Sequence, residues 1–345
     1  MSRPVKLHTG SDPNIFLMPF WCDIHRDDSS TELWIDFHSI WSYSPLFFEI
    51  RTGGKLGNLM PAIDQALQAE IDSAKNIVLY DWYHGQDQIP DYQIEWVRSL
   101  NNYRPVTWIT MNPKSIPGIH TIHFDYCWNR SKRAFLDQRM FHKTYGVENY
   151  KQYDIHSRLR QKKYLTYHSR PETFRNIVRN HLVAHYDGFY NDPEAGVWLL
   201  PNVQNPGEYS PKYVSPPGRI YYDESYVTCL VETQHQGSNS HLVSEKTYDN
   251  MLQGRAVLNF ATPGFYQQLT TDGWAVPSGV SWAWDSIVND RHRLTAYLEE
   301  IDQLLDPSID QLHDWFMTNM QCWQHNQRML LEKPYNIIDL NQINR

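Results

Sequence analysis

The sequence predicts an α/β fold built as two domains, on three observations. The chain has 345 residues, more than one domain of ordinary size holds. Short β-branched and aromatic runs alternate with segments of helical periodicity, the rhythm of a parallel sheet covered by helices. That rhythm restarts near residue 160. The expected division is 1–160, 161–315 and a final helical segment, 316–345.

The elements follow in order. Trp34 to His38, Ile77 to Tyr80 and Val106 to Thr110 read as buried strands. Between the first two, Leu59 to Ala74 carries Ile63, Leu67 and Ile71 every fourth residue and reads as a helix, and Ile94 to Leu100 reads as another before the third strand. In the second half Tyr164 to Tyr167 is a strand, His168 to Pro171 its loop, and Glu172 to Ala184 a helix expected to bury Phe174, Ile177, Val178 and Leu182. A proline-rich stretch (Pro201, Pro206, Pro211, Pro216, Pro217) separates this unit from a strand at Val227 to Val231. A polar loop over Gln234 to His241 leads into a helix from Glu245 to Gln253, which Gly254 suits as a C-terminal cap. Arg255 to Phe260 is the next strand, Thr262 to Gly264 a turn, and Phe265 to Leu269 opens a helix. From Asp285 the pattern is helical, with one long helix expected over Leu312 to Leu331.

Composition limits the function. Hydrophobic residues make up 41% and charged residues 20%, with 13 Trp and 22 Tyr, enough apolar surface for packed cores and too much for a disordered chain. A net charge of -8 gives no global attraction for polyanions or anionic membranes. The concentrated basic stretches are Arg130 to Arg133 and Arg158 to Lys163, which read most simply as solvated helix faces. Cys22, Cys127, Cys229 and Cys322 show neither metal-ligand nor disulfide spacing, which fits a reducing compartment. Met1 to His8 lacks an apolar segment, and no run approaches the roughly 18 apolar residues of a membrane helix. The expectation is therefore a cytoplasmic protein, in the host cytoplasm if the source is viral, with no membrane partner.

Ser244-Glu245-Lys246-Thr247 stands where a loop after a strand turns into a helix, so free N–H groups and the positive end of the helix dipole face a ligand crevice. Lys246 adds a point charge, Ser244 and Thr247 add hydroxyls, and Glu245 has the geometry to accept two ribose hydroxyl protons. The plain structural reading is an ordinary N-cap with Lys246 paired to Asp249 or Asn250. Spacing alone favours the latter.

A resemblance shifts that balance. Glu232-Thr233, Leu242 to Tyr248, Leu252 to Val257 and Thr262-Pro263-Gly264 resemble the C-terminal signature of GT-B glycosyltransferases related to the α1,3-fucosyltransferases and to viral and bacterial enzymes. Tyr164 to Arg175 is similar to the strand, loop and helix that open the nucleotide-binding half of those enzymes. The resemblance implies two Rossmann-like domains facing a cleft, with a C-terminal helix crossing back to the first through Trp315, Phe316, Met320 and Trp323. It implies donor contacts from Arg170, Arg175, Glu232, Ser244, Glu245, Lys246 and Thr247; Arg175 is equally readable as a surface residue paired with Glu172. The implied reaction moves a sugar from a nucleoside-diphosphate sugar to an acceptor hydroxyl, inverting and metal-independent, with no cofactor beyond the donor as co-substrate. His168-Ser169, where Asn is common, and the long polar loop after Glu232 depart from the pattern, so the donor base and sugar are open.

The base for such a displacement should come from the first domain. Asp81, just past a strand end, is the first choice and His84 the second, with Asp36 and His38 as competitors. Trp41, Tyr43, Trp82, Tyr83 and the run Trp282 to Asp285 are aromatic surfaces for a sugar or base, or simply core. The acceptor is a glycan or a hydroxymethylated pyrimidine of viral DNA; a non-catalytic nucleotide- or carbohydrate-binding protein is the alternative of a different class.

Overall fold

The structure is a computed structural model, and it describes residues 7–8, 23–25, 32–36, 65–81, 91–110, 115–125, 127–128, 131–132, 157–168, 172–192, 194–197, 199, 217–232, 243–333 and 337–339. The protein is α/β with parallel sheets. It divides into two compact units, 1–129 with 335–345, and 130–334.

In the first unit β1 (Leu7–His8), β3 (Glu32–Asp36), β4 (Asn76–Asp81), β5 (Val106–Thr110) and β6 (His120–His123) form one sheet in that spatial order. Every described pairing in it is parallel. Helix α1 (Gln65–Ser73) precedes β4 and α2 (Asp91–Tyr103) precedes β5, as the periodicity predicts. All five residues of β5 are buried, as befits a central strand covered on both faces. Ile71 of α1 and Val97 and Leu100 of α2 join Leu33, Ile35, Ile77, Leu79, Val106 and Trp108 in a single core. β2 (Asp23–His25) pairs with β11 (Ile337–Asp339), so residues from 335 on, rather than the preceding helix, belong to the first unit.

The second unit is built on a parallel sheet with the order β10 (Ala256–Phe260), β9 (Ser225–Val231), β7 (Lys162–Thr166), β8 (Gly188–Tyr190). Helix α3 (Thr173–His185) joins β7 to β8, α4 (Arg219–Asp223) precedes β9, α5 (Glu245–Leu252) joins β9 to β10, and α6 (Phe265–Thr271) follows β10. β9 and β10 are buried along their whole length. Among the described strands β10 is an edge. Its Asn259 N–H donates to the Tyr266 hydroxyl at 2.6 Å, and that hydroxyl donates to Val257 O at 3.0 Å. A tyrosine of α6 thereby satisfies backbone groups that an open edge would present to another strand.

β8 escaped the sequence reading because it is three residues long and begins on a glycine. That glycine is required: a Cβ on Gly188 would stand 2.3 Å from ring atoms of Tyr164, itself buried in β7. Gly188→Ala is expected to cost about 2–3 kcal/mol through overpacking, read as a lowered urea midpoint. Unchanged stability would show that the β7–β8 spacing relaxes freely.

The C-terminal helices α7 (Asp290–Leu305), α8 (Ile309–Thr318) and α9 (Met320–Glu332) all lie in the second unit. The single helix expected over Leu312 to Leu331 breaks at Asn319, whose side chain accepts from Ser278 N at 2.8 Å and donates to Ser278 O. The aromatic residues of α8 and α9 make the following contacts inside the second unit. Phe316 stacks on Trp323 at 5.7 Å and meets Tyr226 of β9, and Trp315 Nε1 donates to Ser278 O. α9 packs along α5, behind the helix whose N-terminus frames the site.

Candidate functional site

Strand order locates the crevice. From β7 the chain passes through α3 to β8 on one side, whereas β9 lies against the other side of β7 and passes through α5 to β10. The connections diverge between the carboxyl ends of β7 and β9, and ligands bind at such a switch point in open α/β sheets. With right-handed crossovers, α3 and α5 cover opposite faces. The described strands of the first unit's sheet run in chain order and present no such reversal.

Glu232 closes β9, its N–H bonded to Phe260 O, and its carboxylate organises the start of α5. Oε1 accepts from Ser244 Oγ at 2.8 Å, Ser244 N at 3.3 Å, Thr247 Oγ1 at 2.7 Å and Asn259 Nδ2 at 3.0 Å. Ser244 Oγ in turn accepts from Lys246 N, the N-cap bond expected at this position. Thr247 Oγ1 also accepts from Asn259 Nδ2 at 2.7 Å. Glu232, Ser244, Thr247 and Asn259 are each about 1% exposed. The hydroxyl protons of Ser244 and Thr247, read from sequence as ligand contacts, are thus donated to Glu232 beneath the helix start.

Lys246 is buried, and Nζ lies 3.2 Å from Glu245 Oε1 rather than against Asp249 or Asn250. Asn250 is a second buried hub. It donates to Tyr167 Oη at 2.9 Å and to Lys246 O at 2.8 Å and accepts from Thr228 Oγ1 at 2.6 Å, tying α5 to β7 and β9. Gly254, at φ 64°, follows the C-cap of α5 as expected.

On α3, Glu172 caps the helix by accepting from Phe174 N and Arg175 N. The buried face consists of Arg175, Val178, Arg179 and Leu182, whereas Ile177, expected to be inside, is 39% exposed. Arg175 is not the surface residue of the alternative reading. It is 5% exposed, and Nε reaches 3.4 Å from Val231 O, at the end of β9. Arg179 pairs with Asp192 at 2.9 Å. Arg170 lies outside the described residues, as does His84; Asp81 is the last residue of β4, in register with Thr110.

His168, noted in the sequence only as a departure from a pattern, follows β7 directly. It is 4% exposed. Asn191, just after β8, clamps its main chain: His168 N donates to Asn191 Oδ1 at 2.8 Å, and Asn191 Nδ2 donates to His168 O at 2.7 Å. Burial, then the charges of Arg175, Lys246 and Arg179, lower the imidazole well below its ordinary value and hold it neutral. Arg175 of α3 reaches the end of β9, and Lys246 stands in the first turn of α5, which follows β9. A polar residue ending a buried strand is the signal that would have singled His168 out.

The described residues of the basic stretches are engaged inside the second unit. Lys132 is buried and donates to Lys333 O at the end of α9. Arg158 pairs with Glu224. Arg160 lies between the rings of Phe316 and Tyr226, 4.1 and 5.2 Å from their centroids. Lys162 pairs with Asp187, and Lys163 donates to Leu305 O and Pro307 O. Trp284 is core, whereas the half-buried Trp282, at φ 57°, packs on Tyr266 with 4.1 Å between centroids. Asp285 accepts from Tyr266 N and Gln267 N at the start of α6.

Among the described residues no helix is long and apolar enough to cross a membrane, and no group of three or more His, Cys, Asp or Glu side chains is placed to hold a metal ion. Comparison with protein-family models, curated proteins and solved structures finds no match to this chain.

Proposed function

We propose that the chain is a glycosyltransferase that binds a nucleoside-diphosphate sugar in the second unit and transfers the sugar to an acceptor hydroxyl, with GT-B architecture and inversion. The observation that supports the reading is that Arg175 reaches the end of β9 while Glu232, just past that strand, anchors the start of α5 with Lys246 in its first turn, beside the switch point between β7 and β9. A diphosphate needs cations and helix N–H groups at one place, and here a buried carboxylate network fixes that place. The described parts of the two stretches that resemble GT-B donor motifs, β7 with the start of α3 and Glu232 with α5 and β10, border this switch point.

In the proposed reaction the acceptor oxygen attacks the anomeric carbon, the bond from that carbon to the diphosphate oxygen breaks, and the diphosphate departs with the electron pair. Lys246, Arg175 and the α5 dipole offset the charge on the leaving group, the role a divalent cation plays elsewhere. The acceptor proton goes to a base from the first unit, for which Asp81 is assigned ahead of His84.

Among the described residues of the basic stretches, Lys132, Arg160 and Lys163 are engaged within the protein, which supports a glycan acceptor over a DNA duplex tracked through its phosphates. The test is a panel of UDP- and GDP-sugars offered with glycans and with plain and hydroxymethylated DNA duplexes, products being read by mass spectrometry. The expected result is consumption of one donor with a new glycosidic product. If no nucleoside diphosphate binds and no donor is consumed, the reading is lost.

A further inference from the structure

The crevice holds a polar group that the donor reading does not use. Thr166 and His168 stand two residues apart at the end of β7, on the same face of the strand. Thr166 is fully buried, and its hydroxyl lies 3.4 Å from His168 Nε2. The two groups share one hydrogen bond, and in the tautomer on which the inference rests the hydroxyl donates to Nε2. The neutral ring then carries its own proton on Nδ1. Nδ1 is buried and has no hydrogen-bond partner among the described residues.

Leaving a buried N–H unmatched costs about 1–3 kcal/mol, yet this ring is held rather than released. The Asn191 amide grips both main-chain groups of His168, and Asn191 N bonds to Thr166 O at 3.3 Å, so β8 extends its ladder past the last strand residue to fix the imidazole. Tyr167, between the two residues, turns to the opposite face and bonds Asn250 of α5. Arg179 of α3 pairs with Asp192, the residue after Asn191, and Arg175 of α3 reaches Val231 O on the neighbouring β9, so cations of α3 border the end of β7, and the charge of Lys246 also acts on the ring. A donor without an acceptor, set among cations at a switch point, is matched by an oxyanion.

Building on the donor reading, we infer that His168 is a ligand-binding residue whose Nδ1–H donates to a phosphate oxygen of the bound diphosphate, with Asn191 as its positioning residue. The bond specifies the ligand class: an acceptor-only oxyanion satisfies Nδ1–H, whereas a ligand presenting a hydroxyl or ammonium donor meets a second donor and the cations around it. Because the ring stays neutral, it adds direction without adding charge, and it donates to the diphosphate before and after sugar transfer alike.

The test is calorimetric titration of the full chain with inorganic pyrophosphate at pH 7, using the native protein, His168→Leu, His168→Asn and Lys246→Met. Asn carries an amide N–H near the position of Nδ1; Leu carries none. The expected result is binding to the native protein, at least tenfold weaker binding to His168→Leu, as loss of a bond to a charged acceptor predicts, and recovery to within a few-fold in His168→Asn. Native-like affinity in His168→Leu, with Lys246→Met weakened, would overturn this inference and leave the anion site standing. No binding to the native protein would overturn both. In ring-labelled native protein the His168 Nδ1 resonance is expected to keep its proton and shift on adding pyrophosphate. An unmoved resonance at saturation would count against the contact even if His168→Leu failed to fold.

Discussion

Glu232→Ala is expected to lower the unfolding free energy of the second unit by about 3–5 kcal/mol, the combined cost of several buried donors losing their acceptor. The substitution removes the common acceptor of Ser244 N, Ser244 Oγ, Thr247 Oγ1 and Asn259 Nδ2. Ser244, Thr247 and Asn259 are buried, and an unsatisfied buried donor costs about 1–3 kcal/mol. The sum stays below four full penalties because Thr247 Oγ1 and Asn259 Nδ2 retain each other and water can enter the space. Glu232→Gln keeps one acceptor oxygen and should cost about 1–2 kcal/mol. The measurement is urea unfolding followed by tryptophan fluorescence, with the midpoint falling and the slope constant. Equal stability of the Ala and native proteins would mean that the donors find other acceptors and that Glu232 does not hold α5 in place. Set against a typical total of about 5–15 kcal/mol, the expected loss makes this carboxylate the support on which the site rests.

Sequence conveyed the strands and helices of both units where apolar residues mark the period, as in β4, β5, β9, β10, α2 and α5. It misplaced what polar residues decide. The buried face of α3 was sought in Phe174, Ile177, Val178 and Leu182, yet Arg175 and Arg179 lie inside and Ile177 outside, because a hydrophobic period cannot register a buried arginine. The break at Asn319 is set by Ser278, 41 residues earlier, a contact with no local signature. Glu232, Ser244 and Thr247 were recognised as a group, but their role as one hydrogen-bonded support depends on Asn259, hidden within an apolar strand. His168 was passed over because a lone histidine after a strand has no meaning until the strand order puts β9 beside it.

The second large effect concerns the proposed chemistry. Lys246→Met keeps the aliphatic stem and removes the charge, and it is expected to lower kcat for sugar transfer by about 10²–10³-fold, the usual consequence of losing one group that stabilises developing negative charge in a dry site. Stability is expected to fall by about 1–3 kcal/mol, because the stem still fills its space but the largely buried Glu245 loses its ion-pair partner, so kcat is compared on folded protein. Arg175→Met is expected to act in the same direction, and the double variant should fall short of the product of the two single effects, because both cations would answer to one diphosphate. The pattern separates a leaving-group role from simple donor affinity: loss of uniform binding raises KM alone, whereas loss of transition-state charge stabilisation lowers kcat. Transfer by Lys246→Met within a few-fold of native would remove Lys246 from the chemistry and leave it as a neighbour of Glu245. A kcat effect confined to Arg175→Met would move the leaving group toward the α3 side of the crevice, where Arg175 already touches the end of β9.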